Sequence, residues 1–239
     1  MEKSNDDAPW FGVKTNRRTT KVNVSAESSL HRHVQRTAFA YFEYETNPDN
    51  GLVLDKNAPD WPTSIAATGL ALACYPIAVE RSFMDRRTAA RRTLTTLRFF
   101  KASHQGAEED ATGYRGFYYH FLDFGTGKRA WQCELSSVDT AFLVAGILAA
   151  AAYFQDDTSE ERQIRELADQ LYRRVEWDWL LDESGRIRHG WKPESGFLPF
   201  HWEGYDESML LHILALGSPT HPVPPSAYAH WASTFSWKK

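Results

Sequence analysis

Two carboxylates stand at the end of an unusually aromatic loop in the last quarter of the chain. Asp206 and Glu207 close this loop, and an apolar helix is predicted to begin with them. Carbohydrates offer flat CH faces to aromatic rings and hydroxyl groups to acids, and binding sites favour loops on a rigid scaffold. The loop therefore favours a carbohydrate site, with the alternative that its rings fill a core and its acids cap a helix. Its aromatic and histidine residues are Trp191, Phe197, Phe200, His201, Trp202 and Tyr205.

Other carboxylates lie in equivalent places near two earlier apolar helices. Asp60 precedes the first of these helices, and Glu134 and Asp139 flank the start of the second. If the loops share one face, the acids gather there. Paired carboxylates suit glycoside hydrolysis, which needs one protonated acid and one ionised base or nucleophile. A separation of about 6.5–9.5 Å between the two groups leads to inversion at the anomeric carbon, and about 5–5.5 Å leads to retention.

The acids differ in how well their positions suit catalysis. Glu207 has several rings beside it, which favour the protonated form that a general acid needs, whereas the helix dipole favours the ionised form. Asp139 follows Ser136 by three residues, so it is either a site residue or a capping-box partner. Glu134 lies just outside the helix and is freer to face a cleft, whereas Asp206 is predicted to be an N-cap.

The histidines give a weaker signal than the acids. His120, within Tyr-Tyr-His-Phe, is a candidate ligand contact, whereas His212 lies on an apolar helix face and is predicted to be a core residue. His201 and His221 have no partner at metal-ligand spacing, so we predict no metal and no cofactor. The sequence also lacks a Gly-rich phosphate loop, a G-x-S-x-G elbow and a Cys/His pair, which argues against nucleotide chemistry and acyl transfer.

The helices that must position these residues are of two alternating kinds. Apolar helices begin near residues 64, 136 and 206, about 70 residues apart, and each follows a long aromatic loop. Amphipathic helices at 85–102 and 159–175 follow short turns. Because an all-apolar helix is buried and one with a charged face lies outside, this order predicts stacked α-hairpins in an α/α toroid. A closed (α/α)6 barrel needs six inner helices, so we predict an all-α, incomplete toroid of three to four α-hairpins, with small β-hairpins in the loops.

Composition sets limits on partners and location. With 42% hydrophobic and 24% charged residues the 239-residue chain reads as a soluble globular protein, and its net charge of -4 gives no reason to expect nucleic acid or a membrane as partner. Residues 1–25 are predicted to be a flexible N-terminal arm, and residues 26–239 a partial toroid domain. The arm lacks the apolar segment of a signal peptide. We therefore expect a cytoplasmic protein as the chain stands, and a periplasmic or extracellular one if the true N-terminus is missing.

Several motifs occur along the chain in a recognisable order. They include the segments 116–123 (GFYYHFLD), 134–140 (ELSSVDT), 190–194 (GWKPE), 204–207 (GYDE) and 218–222 (SPTHP). From about residue 36 to 231 the chain resembles the N-terminal half of the bacterial glucoamylase-like family, which includes endo-β-1,2-glucanases and domains of cyclic β-1,2-glucan synthases. The resemblance implies an (α/α)6 barrel that hydrolyses β-linked glucan with inversion, with cleft acids at Glu207, Asp139 and Glu134. Members usually have Asn where this chain has Asp206, which alters the charge beside Glu207.

The first hypothesis is a glycoside hydrolase acting on an oligo- or polysaccharide, with β-1,2-glucan favoured. Glu207 would be the acid, and Asp139 or Glu134 would position or activate water. The expected sugar contacts are Trp61, Tyr118, His120, Trp191, Trp202 and Tyr205. The alternative is an inactive half barrel or glucan-binding module, with an exposed apolar edge where the next inner helix should pack and hence self-association. A toroid scaffold for protein partners explains the loop aromatics least well.

Overall fold

The computed structural model describes residues 29–234 and residue 236, and the predicted arm at 1–25 lies outside them. This part of the chain is mostly helical, as predicted, with seven α-helices and a 3-10 helix at Trp177–Leu180. None of these helices combines the length and hydrophobicity needed to span a bilayer. The α-helices are α1 (Ser29–Tyr44), α2 (Ile65–Glu80), α3 (Arg86–Ala102), α4 (Ser137–Tyr153), α5 (Ser159–Arg174), α6 (Met209–Leu216) and α7 (Pro225–Ala232).

The two long apolar helices, α2 and α4, pack directly against each other in the core. Serine side chains cap both: the hydroxyl of Ser64 accepts from the N–H of Ala67, and that of Ser136 accepts from the N–H of Asp139. The backbones touch where glycines face each other, because a Cβ on Gly146 would lie 1.9 Å from the carbonyl oxygen of Gly69. Helix α6 packs on the other side of α4, so the three predicted inner helices lie side by side.

The amphipathic helices α3 and α5 pack against each other as the outer layer. Their apolar faces are buried, and a two-pronged ion pair joins them through the Nε and Nη2 atoms of Arg86, each 2.8 Å from a carboxylate oxygen of Glu161. The sequence predicted that α2, α4 and α6 are inner helices and that α3 and α5 are outer helices. The packing confirms this prediction for all five.

Helix α6 begins three residues later than predicted. Ser208 is its N-terminal flanking residue, and Asp206, the predicted N-cap, lies in the turn before it. The carboxylate of Asp206 accepts hydrogen bonds from the N–H and hydroxyl of Ser208 and from the indole of Trp231. These bonds hold a turn conformation that competes with the helix, as Asp side chains commonly do.

Short strands join the long loops in a way that the sequence did not predict. A five-stranded antiparallel sheet has the order β2-β3-β5-β6-β7, and a second sheet pairs β1 with β4. Since β1, β5 and β6–β7 lie in the loops before α2, α4 and α6, the sheets bring these loops to one end of the helices. The strands are β1 (Thr63–Ser64), β2 (Gly113–Tyr114), β3 (Phe117–Tyr119), β4 (Phe121–Leu122), β5 (Leu135–Ser136), β6 (Gly190–Lys192) and β7 (Gly196–Phe197).

Candidate active site

His120 lies between β3 and β4, where backbone hydrogen bonds tie it to two helix starts. Its N–H donates to the carbonyl oxygen of Glu134, at 3.0 Å, and its carbonyl oxygen accepts from the N–H of Ile65, at 3.2 Å. Ile65 is the first residue of α2, and Glu134 directly precedes β5, which leads into α4. The packed helices α2 and α4 therefore fix the position of His120.

The side chains of His120, Glu134 and Asp139 meet at this point. Nδ1 of His120 lies 3.0 Å from Oε1 of Glu134 and 3.7 Å from Oδ2 of Asp139. The hydroxyl of Ser136 donates to the same Oδ2, at 2.5 Å, while it also caps α4. All three titratable side chains are half-buried, which leaves them open to solvent and to a ligand. We refer to His120, Glu134 and Asp139 as the acid–histidine group.

Burial and the charges within the group shift the pKa values of its three members in different directions. Burial disfavours the charged form of His120, but the hydrogen bond to Glu134 and the charges of both carboxylates outweigh it and raise the pKa of His120. Burial likewise acts to raise the pKa of Glu134, and the bond from His120 outweighs it, so the pKa of Glu134 is lowered. For Asp139 burial dominates, and its pKa is raised despite the nearby histidine. The group thus holds one ionised carboxylate beside one that retains its proton to higher pH.

The ligand atoms of the acid–histidine group lie within 4.8 Å of one another, close enough to hold a metal ion. However, Nδ1 of His120 is at hydrogen-bonding distance from Glu134, and a metal there would have to replace that bond. One nitrogen and two carboxylates also fall short of the four protein ligands of a structural zinc site, although they would suffice for a catalytic one with a bound water. The arrangement is explained by charge pairing without a cation.

The aromatic side chains predicted to bind sugar are spread over several environments. Trp61 and Trp191 are half-buried, and Tyr205 is exposed. Trp202 is half-buried, and its indole donates to the hydroxyl of Ser137 at 2.8 Å. Tyr118 was wrongly predicted as a sugar contact: it is 2% exposed, and its hydroxyl donates to the carbonyl oxygen of Phe100. All three residues of β3 are buried, and the ring of Tyr118 packs edge to face against Phe100, so no sugar can reach it.

Known proteins resemble the chain in both sequence and fold. The family model described as "Putative glucoamylase" matches residues 199–239. An exo β-1,2-glucooligosaccharide sophorohydrolase from Parabacteroides distasonis is 30% identical over 211 residues, which are 84% of this chain and 28% of that protein. The crystal structure of a β-1,2-glucanase from Parabacteroides distasonis has a TM-score of 0.76 and 26% identity, over 85% of this chain and 29% of that one. Over most of its own length the chain therefore resembles the glucoamylase-like, β-1,2-glucanase family in sequence and in fold.

A further solved structure shares the fold of this chain. An endo-β-1,2-glucanase from Chitinophaga pinensis, in complex with sophorotriose and glucose, has a TM-score of 0.75 at 24% identity, over 87% of this chain and 52% of that one. The glucoamylase-like chain thus spans about half or less of the length of the relatives that it matches. The helical layers and the loops at one end accordingly correspond to part of the fold of these relatives.

Glu207, the predicted general acid, is exposed in the turn just before α6. Within the part of the chain that the structure describes, no hydrogen bond or ion pair links Glu207 to the acid–histidine group. The structure thus brings together two of the three predicted acids, Glu134 and Asp139, together with His120. The role of Glu207 stays a prediction.

Sequence reasoning did not single out two residues near the candidate site, His189 and Ser136. His189 stacks on Trp202 with ring centroids 3.9 Å apart, and its carbonyl oxygen accepts from the backbone and hydroxyl of Ser137. Burial lowers the pKa of His189, although the charges of Asp206 and Glu134 act in the opposite direction. No motif marked His189, since it lies one residue before GWKPE. Ser136 was read only as a cap, and the second bond of its hydroxyl could not be inferred from spacing.

Proposed function

We propose that the protein is a glycoside hydrolase that cleaves β-linked glucan, with β-1,2-glucan as the favoured substrate, and that its helices form part of an (α/α)6 toroid. The observation that carries this proposal is the acid–histidine group, open to solvent at the loop end of the packed helices. Half-buried and exposed aromatic rings in the same loops suit the CH faces of glucose units. Two relatives named for β-1,2-glucan hydrolysis support the substrate class.

The spacing of the carboxylates limits the roles that they can share. Ligand atoms of Glu134 and Asp139 lie within 4.8 Å of each other, whereas an inverting pair needs about 6.5–9.5 Å for the attacking water. If the reaction inverts, Glu134 and Asp139 therefore lie on one side of the scissile bond, and Glu207 supplies the acid on the other. In that arrangement ionised Glu134 accepts the proton of water, and His120 orients its carboxylate. If Glu134 and Asp139 were themselves the reacting pair, their closeness would favour retention.

The first test is oligosaccharide release from β-1,2-glucan, β-1,3-glucan and starch by the purified chain, with the anomer of the product read by NMR. Cleavage of β-1,2-glucan alone with inversion supports the proposal, and retention would reassign the reaction to Glu134 and Asp139. Glu207→Gln is expected to abolish turnover with the fold intact, whereas Glu183→Gln, an equally exposed glutamate in a turn, should leave turnover unchanged. Normal turnover by Glu207→Gln would remove Glu207 from the mechanism.

A second candidate function is a glucan-binding module that associates through an open toroid edge. Apolar side chains on the two flanking inner helices favour it: Leu70 and Ile77 on α2 are 50% and 54% exposed, and Ile213 on α6 is 54% exposed. Exposed aliphatic side chains at the two ends of this row of helices are candidates for an interaction surface. Binding of β-1,2-glucan without release of product by the folded chain would favour this function over hydrolysis.

A further inference from the structure

A groove of about 670 Å3 lies beside the acid–histidine group, between the loop before α2 and the loop between β4 and β5. Two indole rings line it: Trp61 and Trp131 meet edge to face, with centroids 4.7 Å apart and planes at 81°. Trp131 is 56% exposed, so most of its ring is presented to solvent. A large aromatic side chain held at the surface of a concave region is typical of a binding site.

The backbone around this groove adopts conformations that side chains rarely tolerate. Asp60, Trp131 and Gln132 have φ angles of 56°, 55° and 51°, in the left-handed region that favours glycine. Such residues persist only where the surrounding structure holds them, and they cluster at functional sites. These residues set the positions of both indoles. Asp60 directly precedes Trp61, and Gln132 directly follows Trp131.

A buried arginine holds the Trp131 loop in place. The guanidinium of Arg129 donates to the carbonyl oxygen of Cys133 at 2.7 Å, which closes the loop across Trp131. The same guanidinium pairs with both carboxylate oxygens of Glu194, which lies between β6 and β7. The ring of Trp131 is therefore presented by a loop that is anchored at both ends.

Aromatic rings connect the groove to the acid–histidine group without a break. Trp131 lies 5.3 Å from Phe121, and Phe121 stacks on His120 with centroids 3.9 Å apart. Along the chain, Glu134 follows Trp131 by only three residues. The groove is therefore separated from the carboxylates by about two ring contacts, a distance that an extended ligand seated at the carboxylates would span.

We infer that the groove between Trp61 and Trp131 binds glucose units of a β-glucan chain that extends beyond the acid–histidine group; this inference rests on the proposed function. The exposed ring of Trp131 offers a platform to the CH face of a sugar. Lys56 lies over the ring of Trp61, 3.4 Å from its centroid, and so occupies one face of that ring. Asp60 also lines the groove, and among the described residues no group donates a hydrogen bond to its carboxylate, which leaves it to accept from sugar hydroxyls.

The test compares short and long ligands, because only a long one can reach both places. Affinities for β-1,2-linked glucose di- and hexasaccharides are measured by isothermal titration calorimetry at low temperature, before hydrolysis proceeds. Trp131→Ala is expected to weaken hexasaccharide binding about tenfold and leave disaccharide binding unchanged. Trp131→Phe should retain most of the affinity because it keeps a ring. Tyr44→Ala, which removes an exposed ring on α1, should have no effect.

The outcomes separate this inference from the function on which it rests. Equal losses for both ligands, or hexasaccharide binding by Trp131→Ala as tight as in the unchanged chain, would overturn the subsite while leaving the hydrolase proposal in place. If the folded, unchanged chain binds neither oligosaccharide, the proposed function falls and takes the subsite with it. Circular dichroism of each variant confirms that the fold is retained.

Discussion

His120 and Glu134 keep their charges in a half-buried place because each stabilises the other. His120 has a folded pKa above its unfolded value of 6.5, so its contribution to stability is present below pH 6.5 and is lost as pH rises through the folded value. Glu134 has a folded pKa below 4.5, so its contribution is present above pH 4.5 and is lost as pH falls through the folded value. Both contributions are complete only between about pH 4.5 and 6.5. The pKa of Asp139 shifts on folding in the opposite direction to that of Glu134. Because it is raised, Asp139 stabilises the fold when it is protonated.

Replacing His120 should move the acid side of the pH–rate profile. In His120→Gln the carboxylate of Glu134 loses the charged imidazolium partner that lowers its pKa, while burial continues to raise it. The acid limb of kcat/KM is therefore expected to shift to higher pH, measured on β-1,2-glucan between pH 3 and 9. His104→Gln is the matched control, since His104 pairs with Glu108 at 3.1 Å on the exposed surface and lies in no site. An unchanged acid limb in His120→Gln would exclude Glu134 as the ionised base.

Chelation should leave the reaction unaffected. The acid–histidine group is explained by hydrogen bonding and charge pairing, so dialysis against EDTA is expected to change neither turnover nor thermal stability. A loss of turnover that Ca²⁺ or Zn²⁺ restores would instead identify the acid–histidine group as a metal centre, because it is the cluster of three such ligands found within the described residues.

At the scale of elements, some features could be read from the sequence and others could not. The apolar runs of α2 and α4 and the serines before them predicted both helices, because burial on all sides and capping leave local signals. Small β-hairpins were expected in the loops, and β2–β3 and β6–β7 are pairs of this kind. The pairing that joins them through β5 into the five-stranded sheet left no local signal, since it links loops that are far apart in sequence. The acid–histidine group depends on this sheet. The sequence therefore supplied candidate acids, and only the paired loops showed which of them meet.

The contact between α2 and α4 makes Gly146 sensitive to the smallest substitution. A Cβ there would lie 1.9 Å from the carbonyl oxygen of Gly69, so Gly146→Ala forces the two backbones apart. Overpacking of this kind costs about 1–3 kcal/mol, and backbone atoms cannot move aside as side chains do. Urea unfolding should show the loss in the free energy of unfolding.

Gly125→Ala is the matched control for Gly146→Ala. Its added Cβ would find the nearest atom 3.7 Å away, in a side chain, and the free energy of unfolding should change by less than about 0.5 kcal/mol. If Gly146→Ala were as stable as the control, the two helices would have to pack less closely than described. Because His120 is held between the starts of the same helices, Gly146→Ala should also reduce turnover.

At the scale of the whole molecule, the row of inner helices α2, α4 and α6 ends in apolar surface on both sides. Leu70 and Ile77 are one heptad apart on α2, and so lie on one face. The chain covers 48% of a Bacteroides uniformis relative with a TM-score of 0.74, so the corresponding toroid of that relative has further elements to place beside such a row. We propose that in this chain the exposed faces associate with those of a second copy.

Self-association through these faces predicts a molar mass that rises with protein concentration. A single charge placed in the contact should prevent the association. Light scattering across a range of concentrations is expected to show dimers or larger species for the unchanged chain. Ile77→Lys should shift the mass to that of the 27.3 kDa monomer, because burying an unpaired ammonium in an apolar contact costs several kcal/mol. Tyr44→Lys places the same charge at an exposed apolar residue on α1 and should leave the mass unchanged. If the unchanged chain is monomeric at every concentration, these side chains remain exposed to solvent. The binding-module alternative would then lose the observation that favours it.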